Sequence, residues 1–238
     1  MTKIKIKLFK KEKVFEGKNI TDVLKQIIAR IFSYNEFVMR ILFYRNPYVY
    51  WNDRGGIRYF KEQESREDRI ERSKFIAKEI VSLNPESVLE VGCGYGRQLK
   101  SIRELSSSIK LAGVDFSFSQ LGTAKTFLNE SDASRLMQSD AMRLPFKDKS
   151  FDLVFSSAVI LHNPPKVAKR IVDEIARVSK RYIVHNEDRG VSYTRWDYDY
   201  GRIYKEKKFR ILKNEKIPCA PDPEITQFIV ADITGETK

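Results

Sequence analysis

The amino-acid sequence predicts an α/β fold with a doubly wound, mostly parallel sheet of seven strands, helices on both faces and a small N-terminal hairpin and helical extension. Three observations predict it. Short apolar runs alternate with helical patterns from about residue 65 onward. Glycines follow the first of these runs, and acidic residues follow the next two. Strands separated by helices of this length pair in parallel, because the helix returns the chain to the same end of the sheet.

The first quarter of the chain predicts a hairpin and two helices. Alternation of lysine with apolar residues over Lys3–Phe9 indicates a strand, with Lys13–Phe15 as its partner. Thr21 is the expected N-cap of the first helix, and Ser33-Tyr34-Asn35-Glu36 has the pattern of a capping box for the second. A polar and aromatic stretch from Tyr48 to Phe60 predicts a loop.

The rest of the chain predicts alternating helices and strands. The expected helices follow the periodic apolar residues Ile70–Leu83, Leu99–Leu105, Gln120–Asn129, Val167–Val178 and Tyr198–Lys207. The expected strands are Ser87–Val91, Lys110–Phe116, Arg135–Ser139, Phe151–Ser156, Arg181–His185, Phe209–Leu212 and Ile225–Ile233.

Length and composition limit the organisation of the chain. Its 238 residues, 42% of them hydrophobic, suffice for one sizeable core and an accessory region. Cys93 and Cys219 have neither metal-ligand nor disulfide spacing, so we expect a reducing, cytoplasmic location. No apolar run is long enough to span a bilayer, so no transmembrane segment is expected.

The net charge of +12 lies mostly at the N-terminus. Residues 1–60 hold 13 lysines and arginines against 5 acidic residues, whereas residues 61–238 hold 31 against 27. We therefore expect a basic extension over residues 1–60 and one α/β domain over residues 61–238. Such an extension can bind nucleic acid, contact an anionic membrane surface, or only promote solubility, and no motif distinguishes these alternatives.

The junction between the strand Ser87–Val91 and the next helix carries three glycines, Gly92, Gly94 and Gly96, preceded by Glu90. Glycine allows positive φ and close approach of a ligand to the backbone. Ligands of open α/β sheets bind at the carboxyl ends of strands, where this turn lies. The dinucleotide fingerprint requires its third glycine where Arg97 stands, and the lysine and hydroxyl of a P-loop are absent.

This turn resembles motif I of class I S-adenosylmethionine-dependent methyltransferases, and three further positions match in order. Asp115 ends the second strand, and Asp140 follows the third. Leu144-Pro145-Phe146 and the strand beginning with Phe151-Asp152 resemble the small-molecule branch of the family. The resemblance covers about Glu64 to Ile233 and is strongest through Asn163. It implies S-adenosylmethionine as cofactor and methyl transfer by direct displacement.

The resemblance also implies the cofactor site. Asp115 would accept hydrogen bonds from the ribose hydroxyls and Asp140 from the adenine amine, whereas Glu90 would bind the ammonium group. Phe116 would pack on the adenine. The expected cofactor-binding residues are Glu90, Gly92, Gly94, Gly96, Asp115, Phe116, Asp140, Ala141 and Ser157.

His162 follows the fourth strand and is the expected general base, because imidazole titrates near neutrality. The alternative is that it caps the next helix or only packs against the acceptor. His185, Glu187 and Asp188 could join His162 in a divalent metal site, but surface charge is the simpler interpretation, and we expect no bound metal.

Methyltransferases of this family use the region before the first strand as a lid. The resemblance therefore predicts that Trp51, Arg58, Tyr59 and, from the fifth strand, His185 face the acceptor. An aromatic satellite core is the alternative role for the N-terminal aromatic residues.

The function predicted is methyl transfer to a small-molecule or sugar and glycan acceptor. The segment Tyr182–Glu187 is faintly similar to methyltransferases of sugar pathways, and Val178–Tyr182 replaces the proline-glycine turn that many relatives have before the fifth strand. The alternatives are an RNA methyltransferase that binds tRNA or rRNA through its basic N-terminus, and a non-catalytic module that binds the cofactor.

Overall fold

A computed structural model of the protein describes residues 2–8, 11–31 and 36–236. Contacts between Cα atoms divide the chain into two units. The first comprises Met1–Arg45 and Val191–Thr194, and the second comprises Asn46–Gly190 and Arg195–Lys238. Each unit is described by itself below.

The first unit contains an antiparallel hairpin and two helices. The strands are β1 (Thr2–Leu8) and β2 (Lys11–Gly17), and the helices are α1 (Ile20–Ile31) and α2 (Glu36–Phe43). Val23 and Ile27 of α1 are buried and pack with Ile4 of the hairpin. The predicted hairpin and helices are therefore present, because the apolar faces of α1 and β1 cover each other.

The start of α1 differs from the prediction. The helix begins at Ile20, and the side chain of Asn19 accepts a hydrogen bond from the backbone N–H of Asp22 at 2.9 Å. Thr21 as N-cap was therefore wrong, because Asn19, two residues earlier, caps the first turn by accepting from the free backbone N–H of Asp22. The first three residues of the expected capping box, Ser33-Tyr34-Asn35, lie outside the described residues.

Within the described residues, seven strands of the second unit form one sheet in the order β5-β4-β3-β6-β7-β9-β8. The strands are β3 (Ser87–Val91), β4 (Lys110–Asp115), β5 (Leu136–Gln138), β6 (Phe151–Ser157), β7 (Ser179–Asp188), β8 (Phe209–Glu215) and β9 (Thr226–Glu236). Neighbours from β5 through β7 pair in parallel, whereas β9 pairs antiparallel with both β7 and β8. The predicted mostly parallel sheet is confirmed.

Helices cover both faces of this sheet. They are α3 (Pro47–Arg54), α4 (Ile57–Glu64), α5 (Glu67–Ser82), α6 (Arg97–Leu105), α7 (Phe118–Phe127), α8 (Glu130–Ala133), α9 (Pro165–Val178) and α10 (Tyr200–Glu206). Val88 of β3 packs in one core with Ile76 of α5, whereas the next residue, Leu89, packs in the other core with Ile171 of α9. Successive strand side chains point to opposite faces, so the sheet builds two cores.

The segment predicted as a loop, Tyr48 to Phe60, is helical instead. The side chain of Asn46 accepts hydrogen bonds from the backbone N–H groups of Tyr48 and Val49, and Pro47 occupies the first turn of α3. Asn46-Pro47 therefore starts a helix. Gly56 has φ of +86° and separates α3 from α4.

The bounds of α10 and β7 also differ from prediction. Helix α10 begins at Tyr200 rather than Tyr198, because the side chain of Asp199 caps it by accepting from the backbone N–H of Arg202 at 3.0 Å. Strand β7 begins at Ser179 and continues to Asp188, three residues beyond the predicted end. Among the helices that the structure describes, none combines the length and apolar character needed to cross a membrane.

Candidate cofactor and acceptor site

The glycine turn lies at the carboxyl end of β3, and all three of its glycines have positive φ. Gly92 has φ of +74°, and its backbone N–H donates to the carbonyl of Val114 in β4 at 2.7 Å. A Cβ on Gly92 would lie 2.3 Å from Cγ2 of Val159, so this position is closely covered. Gly96 has φ of +85°, and a Cβ there would lie 2.7 Å from Cδ1 of Leu128. Packing of the protein itself thus requires glycine at both ends of the turn.

The middle glycine differs from the other two. Gly94 has φ of +54°, and the nearest described atom to a Cβ placed there is Nε2 of Gln120 at 3.8 Å. Its backbone N–H donates to Oδ2 of Asp115 at 2.8 Å, and Oδ1 of Asp115 accepts from the backbone N–H of Ser117 at 2.8 Å. The turn is therefore fixed from the β4 side and open at Gly94, which leaves space for a ligand beside the backbone.

Two carboxyl groups lie beside this opening, Glu90 at the end of β3 and Asp115 at the end of β4. Glu90 is 2% exposed, and its Oε2 is buried without a hydrogen-bond partner among the described residues. Burial, followed by the negative charge of Asp115, raises the pKa of Glu90 well above its ordinary value. Burial also raises the pKa of Asp115, although the backbone N–H groups of Ser117 and Gly94 lower it. A cationic ligand would compensate this pair, because it would supply the missing donor and positive charge.

The adjacent strand ends carry the other residues predicted to hold the cofactor. The ring of Phe116 stacks on Tyr48 of α3, with centroids 5.0 Å apart and planes at 27°. Asp140 is exposed, and its side chain accepts from the backbone N–H of Met142 at 2.8 Å. Ala141 packs against the core on the α9 side of the sheet. Phe116 and Asp140 therefore stand at neighbouring strand ends, as the sequence predicted.

A polar network joins the carboxyl ends of β6 and β7. Oγ of Ser157 accepts from the side-chain amide of Asn186 at 2.5 Å. Oδ1 of Asn186 accepts in turn from Nε and Nη2 of Arg72 at 3.0 and 2.6 Å. Arg72 also donates to Asp188 at 2.7 Å, and its side chain is only 8% exposed. Charge-assisted hydrogen bonds in a buried setting are strong, so this network fixes the orientation of Ser157.

His162 lies in a short 3-10 turn, Ile160–His162, directly after β6. Its ring contacts the edge of Trp51 in α3, with centroids 4.8 Å apart and planes at 67°. Trp51 contacts Tyr59 of α4 in the same manner, with centroids 6.1 Å apart. The structure thus brings three of the predicted acceptor-site residues into one aromatic row. Arg58 is exposed on α4.

His185 differs from the expectation that it faces the acceptor. Its side chain is fully buried, and its Nδ1 lies 2.7 Å from Oγ of Ser156. The rings of Tyr200 and Tyr204 of α10 pack beside it, with centroids 5.4 and 5.6 Å away. Burial lowers the pKa of His185 to about 3, so the ring is neutral at physiological pH. Because α10 covers this part of β7, His185 lies in the core rather than at an open cleft.

Glu187 has a clear structural role that the sequence did not predict. Its carboxylate accepts hydrogen bonds from three consecutive backbone N–H groups, those of Val159, Ile160 and Leu161, at 3.1, 3.1 and 3.3 Å. Burial raises the pKa of Glu187 to about 7, against the opposing effect of these amides. This carboxylate thus holds the turn that begins with Val159, which covers Gly92, and ends with His162. The two-residue spacing of His185 and Glu187 predicts that both side chains lie on one face of the strand. Only the tertiary structure shows that backbone N–H groups of the turn donate to Glu187.

The alternative metal site is not formed. Among the residues that the structure describes, no group of three or more His, Cys, Asp or Glu side chains is arranged to hold a metal ion. His185 and Glu187 are instead engaged by Ser156 and by the backbone amides of the turn.

Residues 89–182 match the family model described as a methyltransferase domain. The chain carries a methyltransferase domain in this segment. The match includes the glycine turn, Asp115, Asp140 and His162, and it covers the strands from β3 to the start of β7. The family predicted from the sequence is therefore confirmed for the part of the chain that carries the candidate site.

Curated relatives share this domain over part of their length. Sterol 24-C-methyltransferase ERG6B of Gibberella zeae is 30% identical over 125 residues, which are 51% of this chain and 32% of that protein. Malonyl-[acyl-carrier protein] O-methyltransferase of Legionella pneumophila is 31% identical over 103 residues, which are 39% of this chain and 36% of that protein. The aligned part is thus about a third of the length of these two relatives.

Solved structures share the fold of the methyltransferase domain. Magnesium protoporphyrin IX methyltransferase from Synechocystis PCC 6803, crystallised with bound S-adenosylmethionine, matches with a TM-score of 0.59 and 16% identity over 91% of this chain and 99% of that one. The methyltransferase domain of bacterial CtHen1 matches with a TM-score of 0.57 and 18% identity, covering 70% of this chain and 99% of that one. At this identity, the likeness concerns the fold.

Proposed function

We propose that the protein is an S-adenosylmethionine-dependent methyltransferase that transfers a methyl group to a small-molecule or sugar acceptor by direct displacement. The observation that carries this proposal is the open glycine turn at Gly94 beside Glu90 and Asp115, where a buried oxygen of Glu90 has no donor among the residues that the structure describes. Glycine backbone and two carboxyl groups are what a cationic ligand with an amino-acid tail and ribose hydroxyls requires.

The proposed cofactor site distributes these contacts over three strand ends. Glu90 would bind the ammonium group, Asp115 the ribose hydroxyls and Asp140 the adenine amine. Phe116, whose ring stacks on Tyr48, would pack on the adenine. When bound, S-adenosylmethionine supplies an activated methyl group on a sulfonium centre. Gly92, Gly96, Ala141 and Ser157 complete the proposed site as close backbone or small side-chain neighbours.

The acceptor is proposed to lie near Ser157, against the row formed by His162, Trp51 and Tyr59. In that position His162 would remove a proton from the acceptor, with Glu187 holding its turn in place. Helices α3 and α4 would act as the lid proposed for the N-terminal part of the chain, and exclude water from the acceptor. Arg58 on α4 would face the entrance, where it is exposed.

The names of the relatives support a small acceptor. The curated relatives include methyltransferases named for a sterol, for malonyl-[acyl-carrier protein] and for demethylmenaquinone. Among the structural neighbours is one named for magnesium protoporphyrin IX. The aromatic row beside His162 is suited to an acceptor with a flat or apolar part.

Calorimetric titration of the purified protein tests the cofactor. We expect S-adenosylmethionine and its demethylated product, S-adenosylhomocysteine, to bind, and NADH not to bind. The product serves as a stable probe in mutant comparisons. Binding of NADH alone would refute the proposal, whereas binding of the cofactor without methyl transfer to any acceptor would favour a non-catalytic module.

An RNA acceptor is the second candidate function, favoured by the basic first unit and by one relative. Probable tRNA methyltransferase 9B of Bos taurus is 32% identical over 92 residues, which are 38% of this chain and 18% of that protein. Lys3 and Lys5 of β1 are exposed. If tRNA binds to this basic region, its affinity will fall steeply with salt and will fall further in a Lys3→Glu, Lys5→Glu variant.

The same variant, tested for binding to anionic vesicles, examines a peripheral membrane contact. A cytoplasmic location is proposed in either case.

A further inference from the structure

Arg69 lies in α5 one helical turn before Arg72, on the same face of the helix. Two carboxylates act on it, but each is already bonded to another arginine. Asp68 accepts from Nε and Nη2 of Arg66 at 3.1 and 2.9 Å, and lies 3.6 Å from Nε of Arg69. Asp188 accepts from Arg72 at 2.7 Å. Neither carboxylate therefore gives Arg69 a hydrogen-bonded counterion.

The guanidinium group of Arg69 is poorly compensated as a result. Its side chain is 33% exposed, and its Nε is buried without a hydrogen-bond partner among the described residues. Burial, followed by the positive charges of Arg72 and Arg66, lowers the pKa of Arg69. A partly buried charge without hydrogen bonds lowers the stability of the folded state. Such charges are therefore found more often at sites where a ligand supplies the missing partner.

Arg97, the first residue of α6, has a similar deficit. Its Nε donates to Glu64 at 2.9 Å, and the same carboxylate oxygen accepts from the hydroxyl of Tyr95 at 2.8 Å. Nη2 of Arg97 is buried without a partner in the part of the chain that the structure describes. Arg97 thus donates from Nε, whereas the neighbouring Nη2 on the same edge of the guanidinium group has no partner among the described residues.

The positive charges of the two arginines both act on Tyr59. Burial raises the pKa of Tyr59, and the positive charges of Arg54, Arg97 and Arg69 oppose that rise. The guanidinium group of Arg54 lies 5.3 Å from the centroid of the Tyr59 ring, and that of Arg97 lies 5.3 Å from the ring of Tyr95, whose centroid is 6.2 Å from that of Tyr59. The ring of Tyr59 contacts Trp51, which in turn contacts His162. The arginines therefore stand at the end of the aromatic row that is remote from His162.

Arg69 is connected, through its helix neighbour Arg72, to the acceptor side of the sheet rather than the adenosine side. Arg72, the neighbour of Arg69, reaches Ser157 at the end of β6 through Asn186 of β7. The residues proposed to bind ribose and adenine, Asp115 and Asp140, follow β4 and β5 at the other side of β3.

We propose that Arg69 and Arg97 bind an acidic group, a carboxylate or a phosphate ester, of the acceptor, whose apolar part lies against Tyr59 and Trp51. This inference rests on the proposed methyltransferase function and names its substrate class. Guanidinium is always protonated and presents paired donors that match the two oxygens of a carboxylate or phosphate. An acidic acceptor would satisfy the unpartnered nitrogen atoms and compensate the excess positive charge.

The test compares two probes of equal shape and different charge, 2-naphthoate and 2-naphthamide, by calorimetry at saturating S-adenosylhomocysteine. We expect naphthoate to bind at least about tenfold more tightly than naphthamide, because charge-assisted hydrogen bonds favour the anion. Arg69→Gln should remove this preference. Arg202→Gln, a change at a side chain 80% exposed on α10, should leave it intact.

Equal affinity of the two probes in the unaltered protein would overturn the inference, as would failure of both to bind. It would also be overturned if Arg69→Gln kept the preference but weakened binding of S-adenosylhomocysteine and not of 5′-methylthioadenosine, which lacks the amino-acid tail. That result would assign Arg69 to the cofactor carboxylate. If Arg69→Gln does not fold, Arg69→Lys keeps the charge without the paired donors, and its preference should fall.

The cofactor arm is independent of the probe comparison. If S-adenosylhomocysteine binds but naphthoate is not preferred over naphthamide, the inference of an acidic acceptor is refuted and the proposed function is not. If S-adenosylhomocysteine does not bind, the proposed function fails, and the probe comparison is then made without it.

Discussion

The carboxylate of Glu187 accepts a hydrogen bond from the backbone N–H of Ile160 at 3.1 Å, across 27 residues of sequence. It also accepts from the amides of Val159 and Leu161, so one buried side chain holds the whole turn between β6 and α9. Val159 covers Gly92 of the glycine turn, and His162 ends the turn. Glu187 thereby links the proposed cofactor site to the proposed general base.

Glu187→Gln should change the pH dependence of stability. Burial raises the pKa of Glu187 to about 7 from an ordinary value of 4.5, so the folded state keeps a proton that the unfolded state has lost between these values. The protein therefore loses up to about 3 kcal/mol of unfolding free energy from this group as pH rises from 4.5 to 7. The glutamine variant lacks this loss. Urea denaturation at several pH values measures the difference.

The matched control for that experiment is Glu206→Gln, because the side chain of Glu206 is 63% exposed. This control should follow the pH profile of the unaltered protein. If the stability of Glu187→Gln depends on pH in the same way as that of the unaltered protein, the pKa of Glu187 lies near its ordinary value.

Alanine at Gly92 and at Gly94 should have different consequences. Both positions have positive φ, which costs alanine about 1–2 kcal/mol. At Gly92 the added Cβ would also lie 2.3 Å from Val159, so Gly92→Ala should lose clearly more stability than Gly94→Ala. At Gly94 the space is open, and the methyl group should instead obstruct the cofactor.

Thermal unfolding and calorimetric titration with S-adenosylhomocysteine separate the two effects. Gly94→Ala should remain folded and bind the cofactor product at least about tenfold more weakly, since even a small displacement of a ligand from its backbone contacts is costly. Undiminished affinity in folded Gly94→Ala would place the ligand elsewhere.

Asp115→Ala should weaken binding of S-adenosylhomocysteine by about 1–3 kcal/mol, the cost of leaving ribose hydroxyls unpaired. Because Asp115 also accepts from Gly94 and Ser117, Asp115→Asn, which keeps one acceptor oxygen, should lose less. Asp148→Ala, at a side chain 76% exposed, is the control and should bind normally. An unchanged dissociation constant in folded Asp115→Ala would rule out the ribose contact.

His162→Ala should lower turnover by about 10²–10⁴-fold once an acceptor is identified, with little effect on the dissociation constant of the cofactor. His162→Phe keeps a ring against Trp51 and should be equally inactive, because the loss is of a proton acceptor rather than of packing. Radiometric methyl transfer measures both variants. Activity retained in His162→Phe would show that His162 only packs against the acceptor.

The sequence by itself determined the strands of the sheet and the position of the site along the chain. These depend on local signals: the apolar runs of β3 and β6, the glycines that need positive φ, and the acids Asp115 and Asp140 at or just after the ends of β4 and β5. Parallel strands separated by helices bring such residues to one edge of a sheet, so the site could be located from neighbours in sequence alone.

The tertiary structure decided what surrounds each side chain. Strand alternation predicts that His185 and Glu187 lie on one face of β7. Helix α10 covers that face and buries His185, whereas Glu187 accepts hydrogen bonds from backbone amides of residues 159–161. Pairing of Arg72 with Asn186 and Asp188 joins residues more than 100 positions apart. It leaves Arg69 without a hydrogen-bonded counterion among the described residues. Local periodicity tells which way a side chain points, whereas burial, pKa and partners depend on elements distant in sequence that only folding brings together.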